Sequence, residues 1–310
     1  MATVITSIAV SRPDDTVSAI DYAASAGTAC LERAGLGPCD VDVLINVGVY
    51  RDANTIEPAI AALVQKRIGI NLDYMRAPDK RAAFSFDLMN GACGMLNAVQ
   101  TAGALLSTGS ARRVLVVSAD THPSMDVRRA GTDEFPYAST GAALLLERTD
   151  DHLGFGRVQH RSLPGPFGVN GHLPLREVGS DGRNTIVIDR DEDAVDRMLD
   201  FAVDSARSCL DTEGVGQAAV ERTLLISSQP APAFACRLAE RLGLAADSAV
   251  TVQGLRGDPH TSALVYGLSQ AQDARRLAGY ERILFLTVGA GLSSAAAIYR
   301  LPVAAEGAGR

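Results

Sequence analysis

The chain has 310 residues, 47 % of them hydrophobic and 21 % charged, with a formal net charge of -7. Such a composition belongs to a globular chain that can bury a large core in one large or two medium domains. A net negative charge without a basic stripe excludes sequence-independent nucleic-acid binding, which needs cations to displace phosphate counterions.

In chain order, Val4 to Val10 reads as a strand and Thr16 to Gly35 as an amphipathic helix with Ala19, Ala23, Ala26, Cys30 and Leu31 on one face. Val41 to Val47 reads as a buried strand, Glu57 to Ile68 as a helix, and Phe84 to Leu88 as a short strand. Asn90-Gly91-Ala92 follows as a tight turn and opens a helix on Cys93, with apolar residues at helical spacing from Met95 to Leu106. Arg112 to Ser118 and Gly141 to Glu147 complete a first half as strands. The second half runs in the same order. Leu153 to His160 is strand-like, Ala194 to Leu210 helical, Thr223 to Ser227 a strand, Pro232 to Leu242 helical and Ser248 to Val252 a strand. Thr261 to Ala278 is a long helix, and Arg282 to Thr287 and Ser293 to Tyr299 are strands.

The halves also agree in local sequence. Ala61-Ala-Leu-Val-Gln-Lys-Arg-Ile-Gly-Ile70 matches Ala235-Cys-Arg-Leu-Ala-Glu-Arg-Leu-Gly-Leu244 in character, at an offset of 174 residues. A duplication fixes architecture, because two βαβαβαββ units related by a pseudo-twofold axis stack their sheets around shared central helices. We expect an N-terminal half over residues 1–150 and a C-terminal half over 151–310. The helix opening at Cys93 then corresponds to the one opening near Thr261, and their N-termini approach one another.

A helix N-terminus carries unpaired N–H groups and partial positive charge, so a lowered thiol pKa is expected at Cys93. His260 lies 167 residues further on, just before the matching helix, which offers a thiol nucleophile and its base. Plainer readings exist for both. A cysteine among Ala and Gly is a small buried hydrophobe, and Asp258-Pro259-His260-Thr261 is a serviceable capping turn. The five cysteines are scattered without a CxxC pair, so neither a disulfide framework nor a zinc site is expected. No phosphate loop or dinucleotide fingerprint occurs, so no cofactor is expected. The start, Met1-Ala-Thr-Val-Ile-Thr-Ser7, lacks a cationic segment and a long apolar run. A cytoplasmic protein outside the membrane is expected.

Phe86-Asp-Leu-Met-Asn-Gly-Ala-Cys-Gly-Met95, Thr140-Gly-Ala-Ala-Leu-Leu145 and Val288-Gly-Ala-Gly-Leu-Ser-Ser-Ala295 resemble the thiolase superfamily, specifically its β-ketoacyl-acyl carrier protein synthase III branch. The resemblance implies a thiolase-like five-layered αβαβα fold, an acyl-thioester nucleophile at Cys93, and an oxyanion hole from the N–H groups of Cys93 and Gly291. It also implies a dimer sealed along the Phe84 strand, with homo- and heterodimer both open. The departures are equally informative. Where the branch carries Pro-His-Gln-Ala-Asn, Ser228 replaces the His, and where it carries Gly-Asn-Thr-Ser, His260 replaces the Asn. The Trp near the branch's coenzyme A entrance has no counterpart, since the chain contains none.

Decarboxylative condensation uses two neutral donors on the malonyl carbonyl, whereas acyl transfer needs a thiolate and one base. The expectation is an acyltransferase moving an acyl group from a coenzyme A or acyl carrier protein thioester, through Cys93 with His260 as base, to a hydroxyl, amine or carbon acceptor. Specialised metabolite, polyketide or fatty-acid-type biosynthesis is the expected setting. The alternatives are a decarboxylating synthase and a noncatalytic partner in a heterodimer. Ser228 and His172 are further pocket candidates, and loops at 119–140 and 161–190 are expected to set specificity.

Overall fold

The computed structural model describes residues 2–11, 17–73, 82–165, 168–174, 176, 179, 182–245 and 247–302. The first half runs β1 (Ala2–Val10), α1 (Ala19–Arg33), β2 (Val43–Asn46), α2 (Ile60–Ile68), β3 (Phe84–Asp87), α3 (Gly94–Ser107), β4 (Arg113–Asp120) and β5 (Thr140–Thr149). A connecting region contributes β6 (Gly154–Phe155), β7 (Gln159–Ser162), β8 (Val169–His172) and β9 (Val187–Arg190). The second half is α4 (Ala194–Thr212), α5 (Gln217–Val220), β10 (Thr223–Ser227), α6 (Phe234–Leu242), β11 (Ala249–Val250), α7 (Ala263–Asp273), β12 (Arg282–Gly289) and β13 (Ser293–Arg300).

The strand order β11-β10-β12-β13-β6-β1-β5-β4-β2-β3 displays the duplication. In the first half β3, β2 and β4 are parallel, and β5 and β1 follow antiparallel. In the second, β11, β10 and β12 are parallel, followed antiparallel by β13 and then β6 and β7. The strand expected over Leu153 to His160 is thus divided between β6 and β7, both of which pair with β13.

Three apolar clusters separate five layers. One lies under α1 and α2 and includes Tyr22, Leu31 and Leu115. A second lies under α4 and α6 and includes Phe201, Phe234 and Leu284. The central cluster wraps α3 and α7 between the sheets, with Met95, Leu96, Leu264 and Leu268 facing Ile45, Val116, Ile226 and Phe285. Each fully buried aliphatic side chain contributes about 2 kcal/mol relative to exposure, so the apolar stripe of each central helix fixes where its N-terminus sits. The protein therefore has the five-layered thiolase-like fold built from two βαβαβαββ halves.

Two details bring the ends of β2, β3 and β4 together. Asp87, at the end of β3, accepts from the N–H groups of Ile60 and Ala61 at 3.0 and 2.8 Å and so caps α2. Gly48, after β2, lies against the backbone of Ala119, and a Cβ there would overlap the Ala119 carbonyl oxygen. Gly48→Ala is therefore expected to destabilise the fold by about 3 kcal/mol, read as a lower urea midpoint. Among the described residues no helix is long and apolar enough to cross a membrane.

Candidate active site

The two central helices begin alike. Before α3 the chain closes a 3-10 turn over Gly91–Cys93, and before α7 it closes one over His260–Ser262. Gly91 and His260 open these turns with φ of 49° and 46°. The pseudo-symmetry thus matches His260 with Gly91 and Cys93 with Ser262, two residues off the expected pairing of Cys93 with His260. The turns nevertheless meet: His260 Nε2 lies 3.7 Å from the position a Cβ on Gly91 would take. A Cβ at that distance would make ordinary contact, so the left-handed φ of 49° rather than space favours glycine at 91.

A side chain in the left-handed region costs about 1 kcal/mol, so His260 must be held there. Its N–H donates to Asp258 Oδ1 at 2.8 Å, and its Nδ1 lies 3.1 Å from Asp120 Oδ2. Its ring stands 4.4 Å from Tyr137 and 5.4 Å from Tyr50, centroid to centroid. The Asp120 carboxylate, fully buried at the end of β4, accepts from Val49 N (3.1 Å), Tyr50 N (2.9 Å), Thr261 N (3.2 Å) and Thr261 Oγ1 (2.5 Å) as well. Burial works against its charge, yet the His260 charge and these hydrogen bonds together hold it below the usual carboxylate range. Burial likewise disfavours the His260 imidazolium, but Asp120, with Asp258 adding, pushes His260 above the ordinary imidazole range. Burial pushes Asp258 up to about 6. In neutral His260, Nδ1–H donates to Asp120 and leaves Nε2 as the basic nitrogen.

A cavity of about 750 Å³ opens onto this arrangement. Its wall includes His260, Tyr50, Tyr137, Gly91 and Ala92, the Gly289–Gly291 loop between β12 and β13, and the β8–β9 hairpin. Cys93 is not part of that wall. It is only 1 % exposed, and its Sγ lies 3.5 Å from the Ser293 carbonyl oxygen. Burial pushes the thiol up to about 11, outweighing hydrogen bonds with Thr287 and Ala295. Desolvation of the thiolate thus works against the lowering expected at a helix N-terminus.

The other candidates divide. Gly291 lines the cavity, but the Cys93 N–H donates to Asn90 O at 3.0 Å, closing the 3-10 turn. An oxyanion would have to share that donor. Ser228 Oγ accepts from Val288 N at 3.0 Å and donates to Val288 O at 3.3 Å, tying β10 to β12. His172 is exposed on β8, 3.8 Å from Asp189 Oδ2. Ser228 and His172 are not among the residues of this cavity wall, while the nearby Gly171 and Pro230 are. Asp120, Tyr50, Tyr137 and Arg190 were not singled out by the sequence. The one available signal was the charged end of the apolar run Arg113-Val-Leu-Val-Val-Ser-Ala-Asp120. Among the described residues no group of three or more His, Cys, Asp or Glu is arranged to hold a metal.

Residues 86–163 match the 3-oxoacyl-[acyl-carrier-protein (ACP)] synthase III family. The β-ketoacyl-[acyl-carrier-protein] synthase III 2 of Streptomyces coelicolor is 28 % identical over 282 residues, 90 % of this chain and 78 % of its own length. The 3-oxoacyl-(acyl carrier protein) synthase III of Pseudomonas aeruginosa superposes with a TM-score of 0.78 at 18 % identity, over 97 % of this chain and 99 % of that one. A tetronic acid condensing enzyme superposes with a TM-score of 0.77 at 19 % identity, over 97 % and 100 %. The proteins that it resembles in sequence and fold are 3-oxoacyl synthases and a condensing enzyme. Over nearly its whole length the chain is thus similar in sequence and in fold to ketosynthase III-type proteins.

Proposed function

We propose that the protein is an acyltransferase that takes an acyl group from a coenzyme A or acyl carrier protein thioester onto Cys93 and passes it to a hydroxyl or amine, with His260 as the base. The observation that carries this reading is the Asp120–His260 pair, whose imidazole abuts the nucleophile turn, while Ser228 is occupied by the Val288 backbone. A single basic nitrogen suits proton transfer at a heteroatom. Ser228 does not replace the second neutral donor that malonyl activation uses.

The Cys93 thiol is neutral at rest, so attack requires that its proton pass to His260 as sulfur bonds the thioester carbon. The departing thiolate takes that proton. The Gly291 N–H, on the cavity wall, is the candidate donor to the developing oxyanion, worth about 3 kcal/mol when aligned. In the second half-reaction His260 accepts the acceptor's proton, the new bond forms at the acyl carbon, and Cys93 leaves and is reprotonated. β3 ends the sheet order, with Phe84 exposed at 62 %, which supports a dimer sealed there.

The test supplies acyl-coenzyme A and acyl-carrier donors with hydroxyl, amine and malonyl-thioester acceptors. A Cys93 adduct discharged to a heteroatom without carbon dioxide release is expected. Carbon dioxide release with a carbon–carbon product would instead establish the decarboxylating synthase.

A further inference from the structure

The β8–β9 hairpin brings Asp189-Arg190-Asp191 to the cavity wall. Asp191 has a cationic partner of its own, its Oδ2 pairing with Arg197 Nη2 at 2.7 Å, and Asp189 Oδ2 lies 3.8 Å from His172 Nδ1. Arg190 pairs with neither carboxylate. Its Nη2 donates to the Pro230 carbonyl oxygen at 3.0 Å, and among the described residues no carboxylate stands within ion-pair distance of it. In a chain of net charge -7, this leaves a guanidinium without an ion-pair partner among the described residues on the wall of the cavity that His260 opens onto. Its charge reaches Asp258 and Tyr137, the residues that hold and flank His260, and lowers the pKa of each against the effect of burial.

Building on the acyl-transfer reading, we propose that Arg190 determines specificity by binding a carboxylate carried by the substrate, either at the far end of the acyl group or on the acceptor. A guanidinium has five N–H donors, of which one is used here, and its planar fork matches a carboxylate in two parallel hydrogen bonds. It is also weakly hydrated, so it gives up water to an anion at smaller cost than an ammonium. The phosphate of a carrier's pantetheine arm is the other common anion. It is separated from the thioester by the length of that arm, whereas Arg190 acts on groups beside the reacting centre. Tyr50 and Tyr137, also on the wall, add hydroxyls suited to a polar ligand.

The experiment compares succinyl- with butyryl-coenzyme A as donors, and a 2-hydroxy acid with its amide as acceptors, in wild type, Arg190→Met and Arg190→Lys. In one pair the wild type is expected to favour the carboxylate member by about 10-fold or more in kcat/KM, as a charged hydrogen bond provides. Arg190→Met should erase that preference by lowering the carboxylate member far more than the neutral one, and Arg190→Lys should restore part of it. The responding pair says which substrate bears the carboxylate. Absence of a preference in wild type, or an equal loss on both members in Arg190→Met, overturns the proposal and leaves Arg190 as a strut to Pro230. A calorimetric titration of succinate into Cys93→Ala, with and without Arg190→Met, reads the site without chemistry. Arg190-dependent binding in this titration, together with a wild-type protein that no thioester labels, would uphold the carboxylate site and sink the acyl-transfer reading.

Discussion

Cys93→Ala is expected to remove every acyl adduct and to lower turnover by about 10^4-fold or more. Only the thiol is lost, a weak hydrogen-bonding group that meets the Ser293 carbonyl at 3.5 Å as well as Thr287 and Ala295. The variant should therefore stay folded and be informative. His260→Ala behaves differently, because it removes a strained residue yet leaves the buried Asp120 without its cationic partner. Intact-mass analysis separates the roles. If His260→Ala still accumulates the Cys93 adduct while turnover stalls, the imidazole acts in the second half-reaction. If it accumulates none, His260 is needed to deprotonate a thiol whose pKa burial has pushed up to about 11. A wild-type protein that no donor labels would remove Cys93 from the chemistry and bring forward the noncatalytic partner in a heterodimer.

The repeat was the most legible part of the chain. Apolar periodicity and the parallel order of elements suffice to place α3 and α7 at the centre, because the layers follow from which faces are apolar. What periodicity cannot carry is the last few ångströms. Cys93 stands where a helix dipole favours a thiolate, but whether its sulfur faces the cavity or the core depends on the turn closed by Asn90 O and on packing against β12 and β13. That is long-range information. The two-residue offset of His260 has the same origin, since the left-handed φ that aims the ring at Gly91 is imposed by Asp258 and Asp120, from a turn and a distant strand. The sequence reads as a loop across the β8–β9 hairpin, although Val169–His172 and Val187–Arg190 pair in register and supply Arg190 to the wall. Part of the expected specificity loop at 161–190 lies outside the described residues.

Asp120→Asn is the second large effect, and its pH dependence carries the argument. Catalysis as a base needs His260 neutral, and its raised pKa means that activity climbs with pH through a value above the ordinary imidazole range. Asparagine removes the charge that sustains this elevation, so burial, which opposes the imidazolium, prevails. The rising limb should move to lower pH, while the plateau falls about 100-fold as the ring loses its fixed tautomer. Stability should follow the linked titrations. The depressed Asp120 pKa contributes stability that is present above the unfolded value near ~3.9 and lost as pH falls through the folded one. The raised His260 pKa contributes stability that is complete below ~6.5 and lost as pH rises through its folded value. The difference in melting temperature between wild type and Asp120→Asn should therefore be largest between about pH 4 and 6.5 and shrink on either side. A loss of activity with the limb unmoved would reduce Asp120 to a hydrogen-bonding anchor for Val49, Tyr50 and Thr261, and would take the tuned imidazole out of the mechanism.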